Sequence, residues 1–299
     1  MPTRTLTTFM DVPYVPDLAT LDAEIVIQGA PFDLATTGRP GTRFGPNAIR
    51  AATAGLMWEP KRWPWDFSFR DRVRVVDRGN VDFAYADIAG MAAALRRDTQ
   101  AIIARGARVL TLGGDHYITL PLLRAHAAKH GPLAFVQVDA HCDTDVSEHD
   151  HHGVMFHKAV EEGLIAPEHA VQVGIRTWYD PPTHRLTVID ADRATELGSK
   201  GTAARIRDIV GSRPAYLSFD IDGLDPAFAP GTGTPVPGGL STNFALQMLR
   251  DLRSLNIAGA DLVEVSPPYD PSGITALAGA TIGLDLLQIM ASAQEARQN

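Results

Sequence analysis

Six side chains suited to holding divalent cations stand in three short clusters. His116 ends Gly113-Gly114-Asp115-His116; Asp139, His141 and Asp143 share Asp139-Ala140-His141-Cys142-Asp143; Asp220 and Asp222 flank Ile221. Two imidazoles and four carboxylates exceed what one ion needs and suffice for two, because carboxylates can bridge ions roughly 3.5–4 Å apart. Hard oxygen donors mixed with imidazole suit Mn, Fe, Co, Ni or Zn better than Ca. A pair of such ions lowers the pKa of water towards about 7 and supplies a nucleophile at neutral pH. Singly, each cluster has a plain structural explanation: a D-x-D after a strand is often a turn feature, and a histidine after Gly-Gly can serve only to satisfy a carbonyl. All three clusters recur at one kind of place, which argues for a site.

That place is the end of an apolar run. Arg108–Leu112 leads to His116, Leu133–Val138 to Asp139, and Ala215–Phe219 to Asp220. The composition of these runs suits buried strands. In a parallel α/β sheet, sites gather outside the carboxyl ends of the strands. If extended geometry continues past Asp139, then Asp139, His141 and Asp143 point to one side and Cys142 to the other, so Cys142 is read as a packed thiol and not a ligand. Further strands are expected at 24–29, 73–77, 170–175, 186–189 and 259–265. Helices are expected at 45–54, 87–105, 118–128, 155–163, 202–210 and 244–255, and from a Ser272 cap to about Gln294. Strands alternating with helices, without hairpin signals, predict an α/β fold: three α/β/α layers around a central, mostly parallel sheet. No linker or repeat divides the 299 residues, so one domain is expected, with residues 1–20 an irregular N-terminal segment.

Between these elements lie segments with less chemistry. The Gly-, Pro- and Thr-rich loop 30–46 lacks the spacing of a phosphate cradle; its Arg39 and Arg43 could pair with carboxylates at the site rim or make ordinary loop salt bridges. Trp58, Trp63 and Trp65, beside Pro60 and Pro64, are expected to pack a loop onto the core. His126 and His130 are expected at the surface. The net charge of −8 argues against nucleic acid as a partner and is compatible with a cationic small molecule. One cysteine allows no internal disulfide, which fits a cytoplasmic location. Neither a signal-peptide core nor a membrane-length apolar stretch is expected.

The quoted motifs, with His152-Gly153, Ser218-Phe219-Asp220-Ile221-Asp222-Gly223-Leu224-Asp225-Pro226 and Val263-Glu264-Val265, resemble those of the ureohydrolase family, the arginases and agmatinases. The resemblance runs from about Gly29 to the final helix. It is strongest towards bacterial agmatinases, through GRPGTRFGPNAIR, LPLLRAHA, PWDFSFRDR and DPAFAPGTGTPVPGGL. It implies the arginase-like fold, two Mn2+ per chain (with Ni2+ or Co2+ as other divalent choices) and a homo-oligomer, trimer or hexamer. It further implies that His116 and Asp143 serve one ion, His141 and Asp222 the other, and that Asp139 and Asp220 bridge them. His152 matches the acid/base histidine and Glu264 the carboxylate that holds the guanidinium.

A guanidinium carbon is a poor electrophile, so its hydrolysis needs a strong nucleophile. A hydroxide shared by two ions and steadied by Asp143 could attack it, with Glu264 orienting the cation and His152 moving protons to the leaving amine. The loop Thr144–His151 offers Asp145, Glu148 and Asp150, and lacks the Ser-Gly-Asn with which arginases meet an amino-acid head group. Glu148 and Asp150 are therefore expected to contact a second cationic end, although a solvated acidic loop is the bland alternative. The expected reaction is agmatine to putrescine and urea. 4-Guanidinobutyrate or another guanidino compound is the alternative, with arginine, a zinc deacetylase of acetylated polyamines and a non-catalytic metal-binding protein behind it. The loop is one residue shorter than in bacterial agmatinases, and His149 and His151 stand beside His152, which touches both amine-end contacts and metal preference.

Overall fold

The computed structural model describes residues 7–292 apart from Pro60 and Tyr85. The first six residues, and the end of the final helix expected near Gln294, lie outside the described residues. Among the described residues, eight strands form one sheet: β1 (Ile25–Ala30), β2 (Val75–Asn80), β3 (Arg108–Gly113), β4 (Leu133–Val138), β5 (Ile165–Val173), β6 (Thr187–Ile189), β7 (Ala215–Asp220) and β8 (Ile257–Val263). Their order is β2-β1-β3-β8-β7-β4-β5-β6, and every neighbouring pair is parallel.

Among the described residues, seven α-helices cover the sheet: α1 (Gly45–Ala52), α2 (Ile88–Ala104), α3 (Thr119–His130), α4 (Met155–Glu161), α5 (Ala191–Val210), α6 (Thr242–Arg250) and α7 (Ile274–Ser292). Strand side chains alternate between the two faces of the sheet. Ile25, Leu110, Val136 and Leu217 pack with α1, α5, α6 and α7, whereas Phe135, Tyr216 and Ala170 pack with α2, α3 and α4. Both faces are thus buried, as a parallel sheet requires.

Some expectations need correction. α5 begins eleven residues before the expected 202, because Asp190 caps it by accepting from the Arg193 N–H (2.7 Å) and Gly198 carries the chain through a break at φ +68°. α7 is long and apolar enough to cross a membrane, with mean hydropathy 1.6, a stretch the sequence reading passed over. It is apolar all round because it is a core helix, 89% buried. His126 is buried, not at the surface: its ring meets Tyr216 edge-on, and Gly259 leaves room for it, since a Cβ there would come within 2.3 Å of the imidazole. Of the three tryptophans only Trp65 packs inside, donating its indole N–H to Asp285 of α7 (2.7 Å); Trp58 and Trp63 are exposed.

Candidate metal centre

The four middle strands, β3-β8-β7-β4, end side by side, and each contributes to one cluster. His116 opens a short 3-10 turn after β3, capped by Asp115, which accepts from the Tyr117 N–H (3.1 Å). Gly114 allows the close approach here, since a Cβ would lie 1.8 Å from the Phe32 carbonyl oxygen. Asp220 ends β7 and caps the next turn by accepting from the Asp222 N–H (2.8 Å). β4 stops at Val138, so extended geometry does not carry Asp139, His141 and Asp143 to one side. A turn does so: Asp139 accepts from the His141 N–H (2.6 Å), and Asp143 adopts φ +51°.

His116 Nδ1 lies 3.1 Å from Asp139 Oδ2, 3.0 Å from Asp143 Oδ2 and 3.1 Å from Asp220 Oδ2. His141 Nδ1 lies 3.4 Å from Asp139 Oδ1 and 3.2 Å from Asp222 Oδ2. Two groups of ligand atoms result, His116–Asp139–Asp220 and Asp139–His141–Asp222, each within 4.8 Å. Asp139 is common to both; Asp220 stands in the group with His116 and Asp139. Cys142 is buried and belongs to neither group.

The donor set fits cations. Ser218 gives its hydroxyl hydrogen to Asp261 (2.6 Å), so at 2.8 Å it accepts from His116 Nε2–H, leaving Nδ1 with a lone pair among three carboxylate oxygens. Burial and Asp139 push Asp143 up to about 6, and burial and neighbouring carboxylates also push up Asp220 and Asp222. Burial likewise opposes a charged His116, yet the three carboxylates raise its pKa well above the usual histidine range. The field that draws a proton to this spot draws a divalent cation equally.

Glu264 follows β8 at φ +63° and is buried. Its Oε1 accepts from the His116 N–H (2.8 Å) and from His152 Nδ1 (2.9 Å), whereas its Oε2 has no partner. The Thr37 N–H donates to His152 Nε2 (3.0 Å), which places the proton of the neutral ring on Nδ1. Burial opposes a second proton, but Glu264 raises the imidazole to about 9; taking that proton at Nε2 requires the Thr37 contact to open.

A cavity of about 600 Å3 reaches His141, Asp143, Asp220 and His152, and is lined besides by Trp178, Tyr179 and His184 among others. Asp145 and His151 line it too; Glu148, His149 and Asp150 do not. Asp150 turns instead to the Tyr117 hydroxyl (2.7 Å) and to Lys158, so the structure does not bring the expected pair Glu148 and Asp150 to the substrate space. Arg43 pairs with Asp33 and Arg39 lies over the Tyr269 ring, so neither meets the clustered carboxylates.

Several supporting residues escaped the sequence reading. Asp261 accepts from Ser218, Thr119 and Tyr216, and so fixes the ring behind His116. Arg176 donates to the carbonyls of Asp222 (2.6 Å), Leu224 (3.2 Å) and Val236 (2.7 Å), clamping the loop that holds Asp222. Gln137 donates to Asp139 Oδ2 (2.6 Å). A polar residue inside a strand buried on both faces, as in LAFVQV, is the signal that could have found Gln137.

The arginase family description matches residues 23–288. The chain belongs to the arginase family. An agmatinase of Proteus mirabilis is 56% identical over 273 residues, 91% of this chain and 89% of that protein. The crystal structure of a hypothetical agmatinase from Burkholderia thailandensis is 48% identical with TM-score 0.93, covering 98% of this chain and 93% of its own. Proclavaminate amidino hydrolase from Streptomyces clavuligerus is 40% identical with TM-score 0.91, covering 97% and 98%. The protein is therefore a ureohydrolase. Arginase-family membership implies a binuclear divalent-metal centre, and the two overlapping ligand groups fit one.

Proposed function

We propose that the protein hydrolyses agmatine to putrescine and urea. The observation that carries this reading is the orphaned Oε2 of buried Glu264, an anionic acceptor beside the two ligand groups that needs a donor. A guanidinium supplies planar N–H donors and a charge to match. Relatives named agmatinase, 51–56% identical over 91% of the chain, support agmatine as its carrier.

His116, Asp139, His141, Asp143, Asp220 and Asp222 would hold the cations, with Asp139 shared. A bound divalent pair supplies the acidity that makes water a nucleophile at neutral pH. The chain's own residues do the rest. Glu264 fixes the guanidinium plane and offsets its charge as the carbon is attacked. Asp143 takes up a proton beside the attacked carbon. The amine leaves only when protonated, and His152 can carry that proton at Nε2 once its contact with Thr37 opens, with Nδ1 held by Glu264. Tyr179, Trp178 and His184 bound the space for the four-carbon tail.

One feature favours 4-guanidinobutyrate instead: Arg185 lines the cavity and could meet a carboxylate. Its guanidinium is paired with Glu161 at 2.8 Å, however, and the remaining wall carries Asp145 and Asp180, which suits a second cationic end. We further propose Mn2+ as the resident metal, a homo-oligomer (trimer or hexamer) as the assembly and the cytoplasm as the location; the lone, unpaired Cys142 fits a reducing compartment. Urea release from agmatine, 4-guanidinobutyrate and arginine, after loading with Mn2+, Co2+ or Ni2+, tests the reading. Faster turnover of either carboxylate-bearing substrate overturns it.

A further inference from the structure

A chain of buried amides runs from the cavity wall to the carboxylate shared by both ligand groups. Gln137 on β4 and Gln172 on β5 are register partners in neighbouring strands, and both are fully buried. Gln137 Nε2 donates to Asp139 Oδ2 (2.6 Å) and to the His141 carbonyl (3.0 Å). Its Oε1 accepts from Gln172 Nε2 (2.5 Å), which also donates to the Cys142 carbonyl (2.6 Å). Gln172 Oε1 lies 2.7 Å from His184 Nε2.

The direction of this chain is fixed by its ends. Asp139 and the two carbonyls only accept, so both amide nitrogens must face them; flipping either glutamine would set oxygen against oxygen. Every hydrogen of the two amides is then used, and Gln172 Oε1 must receive one. His184 therefore carries its proton on Nε2, which leaves Nδ1 to accept from the Thr144 hydroxyl at 3.4 Å. The relay thus holds Asp139 and, through the His141 and Cys142 carbonyls, the backbone of the whole ligand turn. His184 itself lines the cavity.

We infer that His184 is a positioning residue for the metal centre, acting on Asp139 through the Gln172–Gln137 amide pair. The inference rests on the reading of Asp139 as the shared metal ligand. Neutral hydrogen-bonded chains polarise one another, so a donor at the head strengthens the contact at the tail. Partners that orient metal ligands typically govern metal affinity by about 10–100-fold.

The test is a titration of each metal-free protein with Mn2+, followed by the EPR signal of the free ion, together with steady-state kinetics at saturating Mn2+. Gln137→Leu should weaken Mn2+ binding by about 10–100-fold. His184→Phe, which keeps a ring but removes the donor, should weaken it about two- to tenfold, the size of one neutral hydrogen bond. It should also lower kcat at saturating Mn2+, whatever the change in KM, because His184 bounds the substrate space as well. His184→Gln, which restores an N–H of similar reach, should recover most of the affinity. In the Gln137→Leu background, His184→Phe should add less than it costs alone, because only the Gln172 contact to the Cys142 carbonyl is left for it to act through. If His184→Phe raises KM while Mn2+ affinity stays at the wild-type value, His184 is only a wall of the substrate space and the inference fails. If the wild-type protein binds no Mn2+, the metal-centre reading itself falls, and this inference with it.

Discussion

Glu264→Gln isolates the group on which substrate recognition is proposed to turn. The amide oxygen can still accept from the His116 N–H and from His152 Nδ1, as Oε1 does now at 2.8 and 2.9 Å, so neither the fold nor the ligand set should change. What changes is the position of Oε2, buried and without a partner, where an NH2 group would face the N–H donors of a guanidinium. The loss has two parts: the attraction between unit charges, about 4 kcal/mol at about 4 Å and an effective dielectric constant of about 20, and the facing of donor against donor. Breaking one side of a buried, hydrogen-bonded charge pair costs about 2–5 kcal/mol by experience with interfaces, which brackets the same figure. At about 1.36 kcal/mol per tenfold, kcat/KM for agmatine should fall about 1,000-fold. The assay is urea release over a range of agmatine concentrations, with the metal content of the same sample measured by elemental analysis. A variant that keeps its full metal complement and loses less than about tenfold in kcat/KM would refute the assignment of Glu264 to the guanidinium.

Three further changes probe other parts of the structure. Asp139→Asn should lower the affinity for both ions by more than the roughly 10–100-fold seen when a residue behind a ligand is lost; full occupancy by two ions would contradict its shared position. His152→Ala should keep the metal but cut kcat by about 100- to 10,000-fold, the usual worth of a positioned acid–base group, and a near-normal rate would remove His152 from proton transfer. His126 is buried without a partner, and burial together with His130 holds its pKa down to about 3 against 6.5 in the open chain. Between those values the unfolded chain binds the extra proton, so the stability His126 allows is present above pH 6.5 and is lost as pH falls towards 3, up to roughly 5 kcal/mol. The difference in urea-denaturation free energy between wild type and His126→Leu, followed from pH 7 to 4, should shift in the variant's favour as pH falls; a constant difference would show that His126 does not drive it.

The parts of the site that were legible in sequence are those where chemistry is written contiguously. Each of the ligand clusters follows an apolar strand, and parallel topology does the rest by ending those strands together. The supports were harder to see because their roles exist only between distant segments. Asp261 sits three residues before Glu264 and looks like a lapse in a strand until Thr119, Tyr216 and Ser218 converge on it. Arg176 acts on backbone carbonyls, which carry no side-chain signature. The same limit explains the surroundings. Asp150 looked available to substrate because its partners, Tyr117 and Lys158, lie on other elements. Trp58 and Trp63 looked like core because ring size argues for burial, yet a Pro-broken segment left both outside. The strand-like reading of Asp139 to Asp143 brings the side chains together by the wrong local geometry, since a turn can converge side chains as well as a pleat can.

Asp143 and Glu264 both occupy the left-handed backbone region, at φ +51° and +63°, where a residue with a side chain is under strain worth of order 1–3 kcal/mol. Glycine would relax both places, and at both it would delete a carboxylate that the proposed chemistry needs. Selection for a hardier molecule and selection for a working one therefore pull in opposite directions at these two residues, so a laboratory search for heat resistance alone should drift towards inert proteins there first.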